Sequence, residues 1–421
     1  MSSPLTVKPR AHKKHTRPML IFISDIHLTD ELGQPPVPWG TTFERFWARV
    51  ETARGELPAE LCIIGDFIDI VRSPSWLRGP HRPYHDPKNP GVQATIDTIV
   101  AATIAREKSF FDAIRSKVQA GKLKIHYVLG NHDRLMGHAP NARRALWTAM
   151  TGEDRDVEFP REIVFADHDA VATHGHTGDF ICSTRDGSAP ISDMFGLELI
   201  VRFPDALRAE LGHDLPHLDD IDDVRPLYAV PAWIRQIGHG KKRLMGPVAK
   251  VWTNLVEEFL EVEDVKVWMK SQKRVAGIDP GPRLQSLLHL STGRIMAHAA
   301  DKRLSKLFGL FQGVFDGAFQ ERAIYKLEHP DYKGLRYVLN GHSHFSSMTP
   351  LGTVNGKPTC YFNSGTWRTV HRIGTHASGR PTFMPMHSMC YIVFFPGDEP
   401  MGRDFEWWQG AMVAQEPEPQ H

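Results

Sequence analysis

The sequence predicts a layered α/β fold interrupted by a large helical insertion. Three features carry that expectation. Short apolar runs alternate with helical stretches, each run closes on a polar residue, and the middle of the chain shows only helical periodicity.

The first run, residues 18–24 (PMLIFIS), is closed by Asp25, the pattern of a strand buried on both faces. Residues 61–65 (LCIIG) repeat it and close on Asp66. Residues 122–130 (KLKIHYVLG) close on Asn131. Helical spacing covers 42–53 and 93–119, so strand, helix, strand, helix, strand reads as an α/β sandwich. Two further strand-like runs, 162–166 and 170–173, follow, the second ending at His174. Residues 335–339 end at Asn340 and His342, and runs at 359–363 and 389–395 complete a β-rich C-terminal part. Each polar cluster thus sits past the carboxyl end of an apolar run, where open α/β sheets place their ligand sites.

Between 177 and 331 the character changes. One helical face carries Val248, Val251, Trp252, Leu255, Val256, Phe259 and Leu260. A second carries Leu304, Leu307, Phe308, Phe311, Val314, Phe315, Ala318 and Phe319. Gly309, Gly313 and Gly317 form a ridge opposite those phenylalanines, a surface for a close-packed helix, an acyl-bearing substrate or a membrane surface. The expected organisation is a flexible basic tail at 1–17 (Lys8, Arg10, Lys13, Lys14, Arg17) and a core of 18–177 plus 331–398. A helical cap at 178–330 and a C-terminal tail at 399–421 complete it. The loop 72–90, rich in Pro and His, is expected to be irregular.

Bulk properties narrow the class. With 41% hydrophobic and 24% charged residues and a net charge of +1, the chain has the balance of an ordinary globular protein. That charge, with no basic-aromatic stripe, carries no strong nucleic-acid signal and argues against a nuclease. No apolar run approaches the roughly 18 residues of a transmembrane segment. The first residues lack a secretory signal, and Cys62, Cys182, Cys360 and Cys390 are scattered, so a cytoplasmic location is expected. Oligomeric state leaves no trace in the sequence.

Histidine is abundant, with 23 residues, and many fall in short polar turns. Five clusters carry the candidate chemistry: Asp25-Ile26-His27, Gly65-Asp66-Phe67-Ile68-Asp69, Gly130-Asn131-His132-Asp133, His174-Gly175-His176 and Gly341-His342-Ser343-His344. Carboxylate, imidazole and amide oxygen together suit a pair of borderline cations such as manganese, iron or zinc. Asp25 and His27, like His342 and His344, point the same way in an extended chain and suit one ion each.

These motifs, D-x-H, GD-x-x-D, GNH-[DE], HG and GH-x-H in order, resemble the calcineurin-like metallophosphoesterase superfamily. The resemblance covers about 18–177 and 331–398 and implies a four-layered sandwich of two mixed β-sheets flanked by helices. It implies two divalent metal ions, manganese first and iron or zinc as alternatives. Asp25, His27 and His344 would hold one metal, Asn131, His174 and His342 the other, and Asp66 would bridge them. His132 would protonate the leaving group, oriented by Asp69. The implied reaction is in-line attack of a metal-bridging hydroxide on a phosphomonoester, phosphodiester or pyrophosphate in a small-molecule substrate.

Each residue also has a plainer reading: Asp25 and Asp66 as helix caps, Asn131 as a turn, His174 as a core histidine, His342 and His344 as surface turns. His132 and Asp69 could brace the metal shell alone. His176 could touch substrate or replace His174, and Asp133 and Asp179 read as structural. His81, His85 and His138 read as loop histidines, and 363–367 (NSGTW) as a turn that the family often places near its metals. Ile70 stands where the family's protein phosphatases carry a phosphate-clamping arginine, so protein phosphatase activity is disfavoured. The SDIHL start at 24–28 resembles the UDP-2,3-diacylglucosamine pyrophosphohydrolase branch, which has arginine in place of His132. A lipid-linked or UDP-sugar pyrophosphohydrolase, or a non-catalytic metal-binding scaffold, is the alternative, with peripheral membrane contact as a possible partner interaction.

Overall fold

The computed structural model describes residues 5–7, 17–31, 39–55, 58–179, 181–184, 188–225, 229–238, 242–271, 284–286, 288–289, 291–292, 319–375, 381–397, 399 and 401–413. The apolar runs become strands, and their polar endings become loops at one edge. In chain order come β1 (Leu5–Val7), β2 (Met19–Ile23), α1 (Trp39–Arg54) and β3 (Ala59–Ile64). Then follow α2 (Pro90–Arg106), α3 (Lys108–Gln119), β4 (Leu123–Val128), α4 (Pro140–Thr151), β5 (Glu162–Phe165) and β6 (Ala170–Thr173). The helical stretch expected at 93–119 is two helices, broken at Glu107, and Asn89 caps the first by accepting from the Gly91 N–H at 2.8 Å.

The chain divides into two compact units. One comprises Met1–Asp179, Gly317–Arg368 and Ser388–Ala411; the other comprises Phe180–Asp316, Thr369–His387 and Met412–His421.

The first unit is α/β; it contains one mixed sheet whole and, of the second, the strands β4, β3 and β2 with the last residues of a long fourth strand. One has the order β1-β5-β6-β8-β10-β9, with β8 (Tyr337–Asn340), β9 (Ser347–Val354) and β10 (Lys357–Asn363) supplying its far side. The other places β4, β3 and β2 in parallel, with Ile392–Phe394 of the long strand β12 (Pro381–Phe394) antiparallel to β2. Period-2 alternation sends Leu20, Phe22, Cys62 and Ile64 inward from one sheet to meet Ile163, Phe165, Ala172, Leu339 and Phe362 from the other. The sheets therefore share one buried core, in which each large apolar side chain contributes about 1.5–3 kcal/mol. Helices cover the outside. Phe46 of α1 lies 5.2 Å from the Tyr391 ring, and Phe110 of α3 lies 5.8 Å from Phe67. On the other sheet, Phe319, Ala323 and Leu327 of the helical segment 319–328 pack on Val338 and Tyr361.

The second unit is mainly helical. It holds α5 (Ile191–Phe195), a π-helical turn at Gly196–Val201, α6 (Arg202–Leu211), α7 (Val230–Gly238), α8 (Lys242–Glu261) and α9 (Glu263–Ser271). The expected face of α8 is buried at Val248, Val251, Trp252, Leu255, Val256 and Phe259, while Leu260 is half-buried. The face expected at 304–318 and the ridge of Gly309, Gly313 and Gly317 lie outside the described residues.

Several boundaries differ from the sequence expectation. Leu5–Val7, placed in a flexible tail, pairs in parallel with Ile163–Phe165 because β5 offers an open edge. Residues placed in a C-terminal tail form β13 (Phe405–Val413), which pairs with β12 and sets Phe405 against the core. Residues 369–387, expected in the core, belong to the second unit. There β11 (Thr369–Thr375) pairs with Pro381–His387 and with the two-residue strand β7 (Val224–Arg225). His371 meets Asp220 at 3.1 Å beside that pairing. The loop 72–90 contains a short 3-10 turn at Pro74–Arg78, and Arg82 Nη1 ties it by donating to the carbonyls of Trp76, Gly79 and His81 at 2.8 Å. Cys62, Cys360 and Cys390 are buried free thiols. No helix among the described residues is long and apolar enough to cross a membrane.

Candidate metal centre

All five clusters leave the carboxyl ends of first-unit strands: Asp25 after β2, Asp66 after β3, Asn131 after β4, His174 after β6 and His342 after β8. Backbone bonds tie these loops together. The Asp25 N–H donates to Gly65 O at 3.2 Å, His27 N–H to Asp66 O at 2.9 Å, and Gly341 N–H to His174 O at 3.1 Å. Gly65 has φ +75°, and a β-carbon there would lie 2.6 Å from the Gly130 nitrogen, so only glycine permits the two loops to touch.

The ligand candidates themselves sit in strained backbone. Asp25, His27, Asp66, His342 and His344 have φ between 51° and 73°, and they are five of the eight described non-glycine residues with positive φ. Such conformations cost about 1–3 kcal/mol each and persist only where the surroundings hold them, typically at functional sites.

Their side chains converge. His27 Nε2 lies 3.0 Å from His344 Nε2, and these atoms lie 3.7 and 3.3 Å from Asp25 Oδ1. His174 Nε2 lies 3.0 Å from Asp66 Oδ2 and 3.1 Å from Asn131 Oδ1. Asp66 Oδ2 also lies 3.8 Å from His27 Nε2, so this carboxylate stands between the two groups. His342 joins Asp66 and His174 in one cluster of possible ligand atoms, while Asp25, His27 and His344 form another. The side chains of the seven residues expected as ligands therefore come together around Asp66. His81, His85 and His138 belong to none of the possible metal-binding groups among the described residues.

Tautomers show what is missing from these contacts. His174 Nδ1 faces the Ile64 carbonyl at 2.7 Å and must donate to it, which leaves a lone pair on Nε2. That lone pair faces two oxygens that accept as well. His27 Nδ1 likewise donates to Asp69 Oδ2 at 3.1 Å, so its Nε2 lone pair faces His344 and Asp25. At His174 the lone pair faces only acceptors, so a proton or a cation must lie there; at His27 a proton on His344 Nε2 or a cation meets the same need. Titration expresses the same demand. Burial alone would lower the pKa of His27, but bonds to Asp25 and Asp69 push it up to about 9. Burial likewise opposes protonation of His174, yet the Asp66 and Asp25 carboxylates push it up to about 10. Burial would raise Asp66, but charge on His174 and His132 holds it far below the usual carboxylate range. Either protons or cations must neutralise this cage, and its N/O donor set suits borderline divalent ions.

Around the cage the supports are explicit. Asp69 gives Oδ2 to His27 and Oδ1 to His132 Nδ1 at 2.7 Å, so one carboxylate positions two imidazoles. Burial lowers the affinity of His132 for a proton. Asp133 accepts from Gly130 N–H at 2.6 Å, Phe67 N–H at 3.1 Å and Tyr127 O–H at 2.7 Å, a bracing role. Burial and the nearby Asp66 charge push Asp133 up to about 7. Asp179, read from sequence as structural, meets His342 Nε2 at 3.2 Å. His176 is buried beside His174 and His342, with an Nδ1 that has no partner among the described residues.

Sequence reasoning missed the backing of Asp25. Ser24 Oγ bonds the Asp25 carboxylate and meets Ser364 Oγ at 2.6 Å, and Thr366 Oγ1 donates to Asp25 O. The serine beside Asp25 and the NSGTW turn were the available signal. No protein-family model and no curated protein matches the chain.

Proposed function

We propose that this protein is a two-metal phosphoesterase with the four-layered metallophosphoesterase fold, acting on a small-molecule phosphate ester or anhydride. One observation carries the reading: Asp66 Oδ2 stands 3.0 Å from His174 Nε2 and 3.8 Å from His27 Nε2, between two clusters of converging side chains. Asp25, His27 and His344 would hold one ion and Asn131, His174 and His342 the other, with Asp66 common to both. Two divalent ions, manganese first or else iron or zinc, would neutralise a phosphate and activate water at neutral pH.

The chain's own residues account for the rest. Hydrolysis adds water across a P–O bond, and the departing oxygen needs a proton. His132 would offer it from Nε2 as the imidazolium, because its Nδ1–H is committed to Asp69 and the neutral ring carries only a lone pair at Nε2. Burial makes a proton on that imidazole easy to surrender. Buried free thiols agree with a reducing, cytoplasmic setting.

The test is metal analysis of purified protein with turnover of bis-p-nitrophenyl phosphate. Wild type is expected to carry about two ions and show metal-dependent turnover. Asp66→Ala is expected to lose both; turnover retained in that variant refutes the reading.

A further inference from the structure

The helical segment 319–328 carries an arginine, Arg322, whose guanidinium lies against a loop of the cage. Arg322 is exposed; among the described residues its side chain forms no hydrogen bond, and the nearby carboxylates of Asp179 and Glu321 are the charges that attract it. Its neighbour Ala323 is buried against the sheet, so the segment itself is anchored. Phe319, three positions earlier on the same helical face, sets its ring 6.2 Å from the ring of His342. The Arg322 guanidinium lies against Gly178, so closely that a β-carbon at that glycine would collide with its Nη1, Cζ and Nε. Gly178 follows His174 and His176 in one loop and precedes Asp179, which touches His342. A guanidinium drawn towards the Asp179 carboxylate therefore stands beside the loop that carries His174 and His176.

A planar fork of donors in that place suits a phosphate oxygen, which guanidinium groups bind in bidentate fashion. Ile70 occupies the position after Asp69 where the protein phosphatases of the resembled superfamily carry such an arginine, and the arginine of this loop, Arg72, is buried where its charge acts on His132.

We propose that Arg322 binds a non-bridging phosphoryl oxygen of the substrate and selects a dianionic phosphate, a monoester or terminal phosphate, over a monoanionic diester. This rests on the phosphoesterase reading. Gly178 is part of the device, because the absent side chain is what leaves room for the guanidinium.

The experiment uses the metal-loaded full chain, with inorganic phosphate as calorimetric probe and p-nitrophenyl phosphate and bis-p-nitrophenyl phosphate as substrates. Arg322→Ala is expected to weaken phosphate binding and raise the monoester KM about 10–100-fold. Diester KM, metal content and melting temperature should stay near wild type, and Arg322→Lys should recover part of the loss. Gly178→Ala should reproduce the Arg322→Ala phenotype by displacing the guanidinium. Added to Arg322→Ala it should do nothing further, the non-additivity expected of one shared interaction. Unchanged phosphate affinity in Arg322→Ala, or fully additive effects, overturns the proposal. A wild type that binds metal and hydrolyses neither ester refutes the phosphoesterase reading instead, and calorimetry still reports whether Arg322 holds phosphate.

Discussion

His27 and His344, 317 positions apart in the chain, face each other through their Nε2 atoms at 3.0 Å. With His27 Nδ1 committed to Asp69, the His27 Nε2 lone pair points at His344 Nε2, an approach satisfied by a proton on His344 or by a cation between the rings. Adding manganese to chelated protein should therefore raise its melting temperature. At a hundred times Kd, linkage gives about 2.7 kcal/mol per independent site. Differential scanning calorimetry with and without metal checks this, and superimposable transitions would contradict it.

Asp69 positions His27 and His132 with separate oxygens. Asp69→Asn replaces one acceptor with an N–H₂ donor that faces a donating imidazole. We expect metal affinity and kcat each to fall about 10–100-fold, the usual cost of losing a ligand's support. Equilibrium dialysis beside steady-state kinetics measures both. A fall in kcat with full metal affinity would limit Asp69 to His132.

Gly65→Ala should cost far more stability than Gly55→Ala. Both residues have positive φ, but nothing lies within 4 Å of a β-carbon at Gly55, while one at Gly65 meets the Gly130 backbone at 2.6 Å. The φ penalty alone is about 1–2 kcal/mol, and backbone cannot swing aside as a side chain can. Urea unfolding of the two variants decides it; equal costs would mean that the loops are not in contact.

Stability should fall in mild acid through His168. Burial, with Arg17 nearby, lowers its pKa to about 4, and its Nε2 lies 2.9 Å from the Pro18 carbonyl. The unfolded histidine titrates near 6.5, so between that pH and about 4 the unfolded state binds more protons. The stabilisation is complete above about 6.5 and lost as pH falls towards 4, by about 3 kcal/mol at most. His168→Gln should flatten that part of the urea-midpoint profile; an unchanged slope would assign the acid sensitivity elsewhere.

Legibility followed the physics of each element. Residues 19–23 and 61–64 were readable because strand segments buried on both faces are apolar throughout, whereas the start of β3, with Glu60, was not. The face of α8 was readable because a half-buried helix shows its period. Strand β9 was missed: none of its residues is fully buried, and it carries Pro350 and Gly352, which edge positions tolerate. β7 is two residues long and has no pattern of its own.

From its residues alone, the chain determined the donor types, their order, and their place after apolar runs, since strand burial and turn chemistry are local. Folding decided which donors share a point in space, that Asp69 serves two histidines, and that Arg322 rests on Gly178. Those relations join segments far apart in sequence, and only loop closure and sheet packing bring such segments within a few ångströms.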